Sequence, residues 1–569
     1  MPRAGVDRTL PLEQALKRLE AIHRDYEPGL AGEKRELLAL VARARLDAKA
    51  LSSLHEVACF LRAFPDDRAV LADACAVLTA FGQRADLRRA RRRLADTGMA
   101  GTSLHFPFHW VTARWLARHW PDQLHVDWPL LSPRERERFE NLLPLLVPYS
   151  EWPDLELGLS PREWLGRLKG PAETDAAFLV RRFSRLAVGN REREVLFHDL
   201  GKPLRLDPGH GAPERTTLHF PPGRVVFQTR ALSRERPAVK GEVRRMKPRV
   251  EPMDRRDGKR LIELARTSLI SRGRDLDGIM YASPDDVRWV DAGDGLALVC
   301  LGLAPEHRAL VETLYVFLLL KNGVPIGYYQ SALLFGSAEV NYHVFPTFRG
   351  AETSLAYVRA LGVVHHLFGS DAFAVHPYQL GHENRDALRA GAFWFYQKLG
   401  FLPEDPTRAK LLAAELRRLR KNPERRSSQK TLRALSAGYV FLYLGERRED
   451  VAGKVPLGQL NLAVSDLLAR RFGSDRERGL RVTSRELAEL TGTNLRELSV
   501  SERLAWERWS PLALAIPRIS SWPRKDLAAL ATLVREKGGL REEAFGRRLD
   551  RHARLRGALL EIASPREQV

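Results

Sequence analysis

Cysteine is scarce. The chain has three in 569 residues, Cys59, Cys75 and Cys300, scattered and odd in number. That excludes a disulfide framework or a cysteine-based metal site and makes a reducing, cytoplasmic setting the expectation. Long apolar runs are missing as well. The longest clear one, Leu314–Leu320, is far too short to cross a bilayer, so no transmembrane segment is expected. The first residues lack the apolar core of a secretory signal. Neither an internal repeat nor a heptad pattern is present. Acidic residues are outnumbered, with 71 Asp and Glu against 92 Lys and Arg, for a net charge of +21. The excess points to an anionic partner (nucleic acid, acidic protein, phosphorylated cofactor or membrane surface) or simply to arginine-rich solvated faces. Hydrophobic residues at 44% and charged residues at 29% are ordinary for a folded soluble chain. The length allows two to four domains.

Residues 1–190 read as a helical domain. Leu51–Phe64 and Val70–Phe81 carry apolar residues at three- and four-residue spacing. Arg84–Arg93 holds six arginines against one aspartate, a basic helical face that is ordinarily solvated. Trp110, Trp115 and Trp120 sit on a helix that Pro121 ends. A spacing of five does not keep them on one face, which predicts core packing. His105, His109 and His119 have no third ligand at a suitable spacing, so no metal site is expected.

Residues 191–255 read as a basic, Pro/Gly-rich connector with a short strand at Arg224–Thr229. Arg224–Arg249 holds nine Lys or Arg against two Glu. From 256 to 406 the pattern alternates: a helix at Gly258–Ile270 and strands at Leu296–Leu303, Tyr315–Leu320 and Pro325–Leu334. The last two are joined at Asn322-Gly323, the pair a two-residue hairpin turn prefers because both residues need positive φ. Residues 407–569 return to helices and form a basic C-terminal domain, with helices at Leu411–Leu419, Ser484–Leu490, Leu495–Trp506 and Lys525–Lys537 and a basic tract at Arg417–Lys430. The fold expected is therefore α/β in the middle, with mostly helical regions on both sides.

The centre of this pattern is Asn341–Phe401: a strand at Ala338–Phe345, a turn at Pro346–Ser354, a helix at Leu355–Leu367, an extended run at Ala372–Leu380 and a second helix ending in Phe393-Trp-Phe-Tyr-Gln-Lys-Leu-Gly-Phe401. A strand that feeds a helix through a donor-rich turn suits a phosphate, because the first N–H groups of a helix are unpaired. Val344-Phe-Pro-Thr-Phe-Arg-Gly350 and Phe395-Tyr-Gln-Lys-Leu-Gly-Phe401 resemble the strand end, pyrophosphate turn and Tyr-x-Lys-x-Gly-Phe ending of the GNAT acyltransferase family. The resemblance covers about 150 residues in the middle of the chain. It implies a mixed antiparallel and parallel sheet, an acetyl-CoA or other acyl-CoA donor, an amine acceptor and no metal.

The resemblance also implies site residues. Val344 and the turn residues Arg349, Gly350, Ala351, Glu352, Thr353 and Ser354 would seat the pyrophosphate. Glu352 stands where the family has its first glycine. A carboxylate 4 Å from a phosphate charge costs about 4 kcal/mol at an effective dielectric of 20. A helix N-terminus returns only about 0.3–2 kcal/mol, so an inward-pointing Glu352 would defeat binding. On the strand, alternation puts Glu339, Asn341 and His343 on one face and Val340, Tyr342 and Val344 on the other. Glu339 is the first choice for the base that takes the amine proton, and His343 the second. Tyr396 matches the tyrosine near the thioester sulfur, with Leu388, Ala392, Phe395 and Leu399 as the buried stripe beside it. Arg389 stands where the family has an asparagine; the nearest one, Asn384, has the position of a helix N-cap. Three functions follow: an acyl-CoA-dependent N-acyltransferase; an acyltransferase using another carrier such as aminoacyl-tRNA, held by the basic tracts Arg224–Arg249 and Arg417–Lys430; or a catalytically inactive scaffold.

Overall fold

The computed structural model describes residues 11–151, 158–201, 204–233, 237–350 and 352–564. These residues divide into two compact units. One comprises Met1–Leu232, Arg260–Tyr281 and Lys321–Pro325, and the other Ser233–Lys259, Ala282–Leu320 and Ile326–Val569.

The first unit opens with the helices Leu12–Ile22, Leu30–Arg43, Ala48–Ala63 and Arg68–Phe81. Two start at aspartates whose carboxylates accept first-turn amides, Asp47 from Ala50 and Asp67 from Ala69 and Val70. Leu19, Val41, Leu51 and Leu54 pack into one core. A small antiparallel sheet follows: β1 (Leu104–Phe106), β2 (Leu124–Val126) and β3 (Leu204–Leu206), in the order β1-β3-β2. Leu104, Leu124 and Leu204 turn inward to a second core that buries Trp110 and takes Trp115 and Trp120 at its edge. That is the core packing the tryptophan spacing predicts. The strand expected at Arg224–Thr229 does not form. The Asn322 side-chain amide bonds both the N–H and the carbonyl of Val226, at 2.9 Å each, so a side chain stands where a ladder partner would be.

The second unit is built on a nine-stranded mixed sheet: β4 (Arg249–Pro252), β5 (Ala282–Asp291), β6 (Leu296–Leu303), β7 (Thr313–Lys321), β8 (Val324–Leu334), β9 (Ser337–Val344), β10 (Ala372–Val375), β11 (Leu402–Pro403) and β12 (Val440–Tyr443). The order is β11-β12-β10-β9-β8-β7-β6-β5-β4. β8 and β9 pair antiparallel, whereas β9 and β10 pair parallel. The chain is thus a mixed α/β protein with a mixed sheet in the middle and helical regions before and after it. Asn322 and Gly323 form the expected hairpin turn, with φ of 48° and 78°. A second two-residue turn, Phe335-Gly336, joins β8 to β9 with φ of 48° and 69°. Phe335 is buried in the core of the C-terminal helices, and the Gly336 N–H donates to Asp550 at 2.9 Å.

The C-terminal helices Gly458–Phe472, Arg476–Thr491, Val500–Ala515, Arg524–Lys537, Glu543–Arg551 and Ala553–Ala563 pack around Trp506 and Trp509. The helix expected from Leu495 starts later, at Val500. Ser499 and Glu502 form a capping box there, and Leu495–Glu497 is a separate 3-10 turn. Among the described residues no helix is long and apolar enough to cross a membrane.

Candidate functional site

β9 and β10 part company. They pair only through Ser337–Glu339 and Ala372–Ala374. Beyond that β10 ends at Val375 and the chain turns into the short helix Pro377–Leu380, where an extended run to Leu380 was expected. β9 runs on to Val344, paired only with β8. The Phe345 N–H donates to Ile326 of β8 at 2.9 Å. Alternation along an antiparallel ladder therefore directs the backbone groups of Tyr342 and Val344 the other way, into the gap that β10 has left. The Val344 carbonyl accepts from Arg349 Nε at 3.4 Å.

The phosphate-type turn opens beside this gap. After the 3-10 turn Pro346–Phe348 the chain passes Gly350, with φ of 82°, and Glu352, with φ of 50°, and enters the helix Thr353–Phe368. Ala351 lies outside the described residues. The Gly350 N–H donates to Thr353 Oγ1 at 3.2 Å, and Tyr342 Oη donates to the Thr353 carbonyl at 3.0 Å, tying the free end of β9 to the first helical turn. Among the described residues no side chain caps this helix, and its first internal bond is Ala356 N–H to the Glu352 carbonyl. The amides of Thr353, Ser354 and Leu355 therefore lead out of the turn. Glu352, standing where the resemblance has glycine, holds the left-handed backbone that favours glycine, at a cost of roughly 1–2 kcal/mol.

The acid and base candidates lie on opposite faces of β9. Register places Glu339, Asn341 and His343 across from Ala332, Gln330 and Tyr328 on one face. There Tyr439 Oη donates to Glu339 Oε2 at 2.9 Å, and the His376 ring meets Tyr439 edge-on. Asn341 Nδ2 donates to Gln330 at 3.2 Å, while His343 stacks on Tyr328. Burial, and after it the neighbouring Glu339 carboxylate, pushes the Glu312 carboxyl up from its ordinary value. A carboxyl whose pKa is higher in the folded than in the unfolded chain stabilises the fold at low pH, and that contribution is lost as pH rises. Glu312→Gln is therefore expected to leave the melting temperature unchanged near pH 4 and to raise it near pH 8, as a pair of thermal melts would show.

Tyr396 belongs to the other face. The sequence pattern sets it beside a stripe of Leu388, Ala392, Phe395 and Leu399 on one continuous helix. The helix instead breaks at Gly391, whose φ is 67°, into Arg385–Ala390 and Ala392–Lys398. The break changes the phase. Phe393, Tyr396 and Leu399 are buried, whereas Ala392 and Phe395 are half-buried. Tyr396 is 3% exposed and packs edge-on against Tyr357, Phe395 and Phe401. Burial raises its pKa, and its phenol in turn helps raise those of Tyr329, Tyr342 and Tyr357. The hydroxyls of Tyr329 and Tyr357 are buried without a hydrogen-bond partner among the described residues. A gathering of phenols with orphaned hydroxyls is uncommon in a protein interior and calls for a polar partner. Asn384 caps the helix Arg385–Ala390, accepting from the Ala387 N–H at 3.1 Å, so that lone pair is already engaged.

Sequence reasoning overlooked Glu312, Tyr439, Tyr329 and Tyr357. Tyr439 reaches Glu339 from 100 residues away, through the pairing of β12 with β10, which no local pattern signals. Tyr329 and Tyr357 read as ordinary core aromatics. Elsewhere, His105 lies 3.0 Å from Asp96, His109 stacks on His198, and His119 packs against Trp115 and Trp120. Among the described residues no group of three or more His, Cys, Asp or Glu could hold a metal ion.

No family model, curated protein or solved structure matches this chain.

Proposed function

We propose that the chain is an N-acyltransferase that takes its acyl group from a CoA thioester and passes it to an amine. One observation carries this reading: β9 and β10 part beside an uncapped helix start, with the Glu339 carboxylate at the last paired residue on one face of β9 and the buried Tyr396 phenol on the other. The strand order, the parallel β9–β10 pair and the helix between them support it as well.

The turn suits a diphosphate in its uncapped amides and in the glycine conformation of Gly350, and it resists in Glu352. Arg349, Gly350, Thr353 and Ser354 would hold the donor's diphosphate, with the backbone groups of Tyr342 and Val344 alongside the acyl arm. The acceptor amine would approach from the Glu339 face. A C–N bond forms as the C–S bond breaks, Glu339 takes the proton leaving the amine, and the sulfur carries away the bonding electrons. Tyr396 serves the sulfur. A thiol titrates near pH 8.5 and an ordinary phenol near 10, so a phenol raised further by burial stabilises the thiolate mainly as a hydrogen-bond donor.

Thermal-shift titration of the full chain with a panel of acyl-CoAs tests the reading. A dose-dependent rise in melting temperature with at least one acyl-CoA, greater than with adenosine diphosphate, is expected. A flat response across the panel would sink it.

A further inference from the structure

A second anion-seeking surface lies in the C-terminal helices of the second unit, apart from the residues proposed for acyl transfer. The helices Arg524–Lys537, Glu543–Arg551 and Ala553–Ala563 enclose an open groove of about 890 Å³. Five cations line it: Lys525, Arg547, Arg548, Arg551 and Arg554. Two carboxylates oppose them, and both are engaged: Asp526 with Arg554 at 2.7 Å, and Glu536 with Arg548 through two bonds of 2.7 Å. Arg547 donates to the Leu367 carbonyl and keeps only a 4.0 Å approach to Glu543. Lys525 and Arg551 are exposed, and among the described residues no carboxylate pairs with either. Lys525 and Arg554 lie in first turns, but the lining also takes in the last turns of two helices at Glu536 and Arg551, so the positive potential comes from the side chains rather than from helix dipoles.

We infer that this groove binds a nucleic-acid strand through its phosphates. The lining follows the helix from Lys525 to Glu536, about 16 Å at 1.5 Å per residue. At the roughly 6–7 Å that separates neighbouring phosphates along a single strand, that length spans about three of them, more than a single phosphate or diphosphate would need. Concavity favours a strand over a flat membrane surface. The partner is recognised by backbone charge, so no sequence preference follows. The inference does not depend on the acyl-transfer reading, and either can fail while the other stands.

The test is fluorescence anisotropy of the full chain with a labelled short single-stranded RNA, between about 50 and 200 mM salt. Log affinity is expected to fall linearly with log salt, by about 0.7 per phosphate neutralised. Lys525→Glu/Arg551→Glu is expected to weaken binding at least tenfold at the lower salt and to flatten the slope by about 1.4. The neutral pair Lys525→Gln/Arg551→Gln is expected to move both readouts the same way by less, which guards against a misfolded reversal variant. Arg91→Glu/Arg92→Glu makes the same change in net charge on an exposed segment of the first unit and is expected to leave affinity within about threefold. Equal weakening by that control would overturn the inference. So would an absence of RNA binding at the lower salt, or stronger competition by poly-glutamate or phosphatidylserine vesicles than by unlabelled RNA.

Discussion

Tyr396→Phe is expected to lower kcat by roughly 10²-fold or more with little change in KM for the acyl donor, the signature of a group that acts on the departing sulfur. The side chain is 3% exposed and rigidly packed, so the phenylalanine ring should take the same place. Its hydroxyl makes no hydrogen bond to any described residue. The variant should therefore melt close to the parent, since the hydroxyl gives up no hydrogen bond to a described residue. Loss of turnover with retained stability separates a chemical role from a packing one. Because burial raises this phenol above its ordinary range, it stays protonated throughout the neutral region. A basic limb of kcat/KM below pH 10 should therefore not be removed by Tyr396→Phe. A fall in kcat of less than about threefold would remove Tyr396 from the mechanism.

The second large effect is expected from Glu352→Gly. The residue holds φ of 50°, a conformation that costs a side chain roughly 1–2 kcal/mol. Glycine's extra freedom in the unfolded chain returns about 0.4–1 kcal/mol of that, so the variant should melt slightly above the parent. Binding is where the change should be large. If the carboxylate faces the seat at about 4 Å, its removal relieves up to about 4 kcal/mol, nearly three decades in Kd. Calorimetry with the acyl-CoA that gives the largest thermal shift is expected to show at least tenfold tighter binding. Glu352→Gln keeps the strain and removes the charge. It should therefore reproduce the gain in affinity without the gain in stability. Unchanged affinity in both variants would mean that the carboxylate points away from the ligand, and weaker affinity in both would mean that it braces the turn.

Several features that place this site were legible in the residues. The strand was readable to within one residue at each end, because apolar and polar side chains alternate from Glu339 to Val344. The Asn322-Gly323 turn was readable because only a few residue pairs accept positive φ twice in succession. Long helices with apolar stripes, such as Arg524–Lys537, were readable for the same kind of reason. Others were hidden by interactions distant in sequence. β5 reads Ala-Ser-Pro-Asp-Asp-Val-Arg-Trp-Val-Asp, a composition poor in strand formers, and it holds because Asp286 is buried and accepts from Tyr315 Oη at 2.7 Å and from Arg288 at 3.3 Å. The face that Tyr396 occupies depended on Gly391, since a single left-handed residue resets the phase of the helix that follows it. The pairing of Glu339 with Tyr439 required the whole sheet to be assembled first.

The turn Phe335-Gly336 bears on all of this. A bulky residue at positive φ is unfavourable, and here the unfavourable residue is Phe335, sunk in the core of the C-terminal helices, while the next amide is held by Asp550. A pleated strand has a repeat of two, so a slip by a single position would carry every side chain of β9 to the wrong side. The helices that follow the sheet thus act as a splint. They clamp the bend that decides which way Glu339 looks, and through it the orientation of the proposed chemistry is inherited from the far end of the polypeptide.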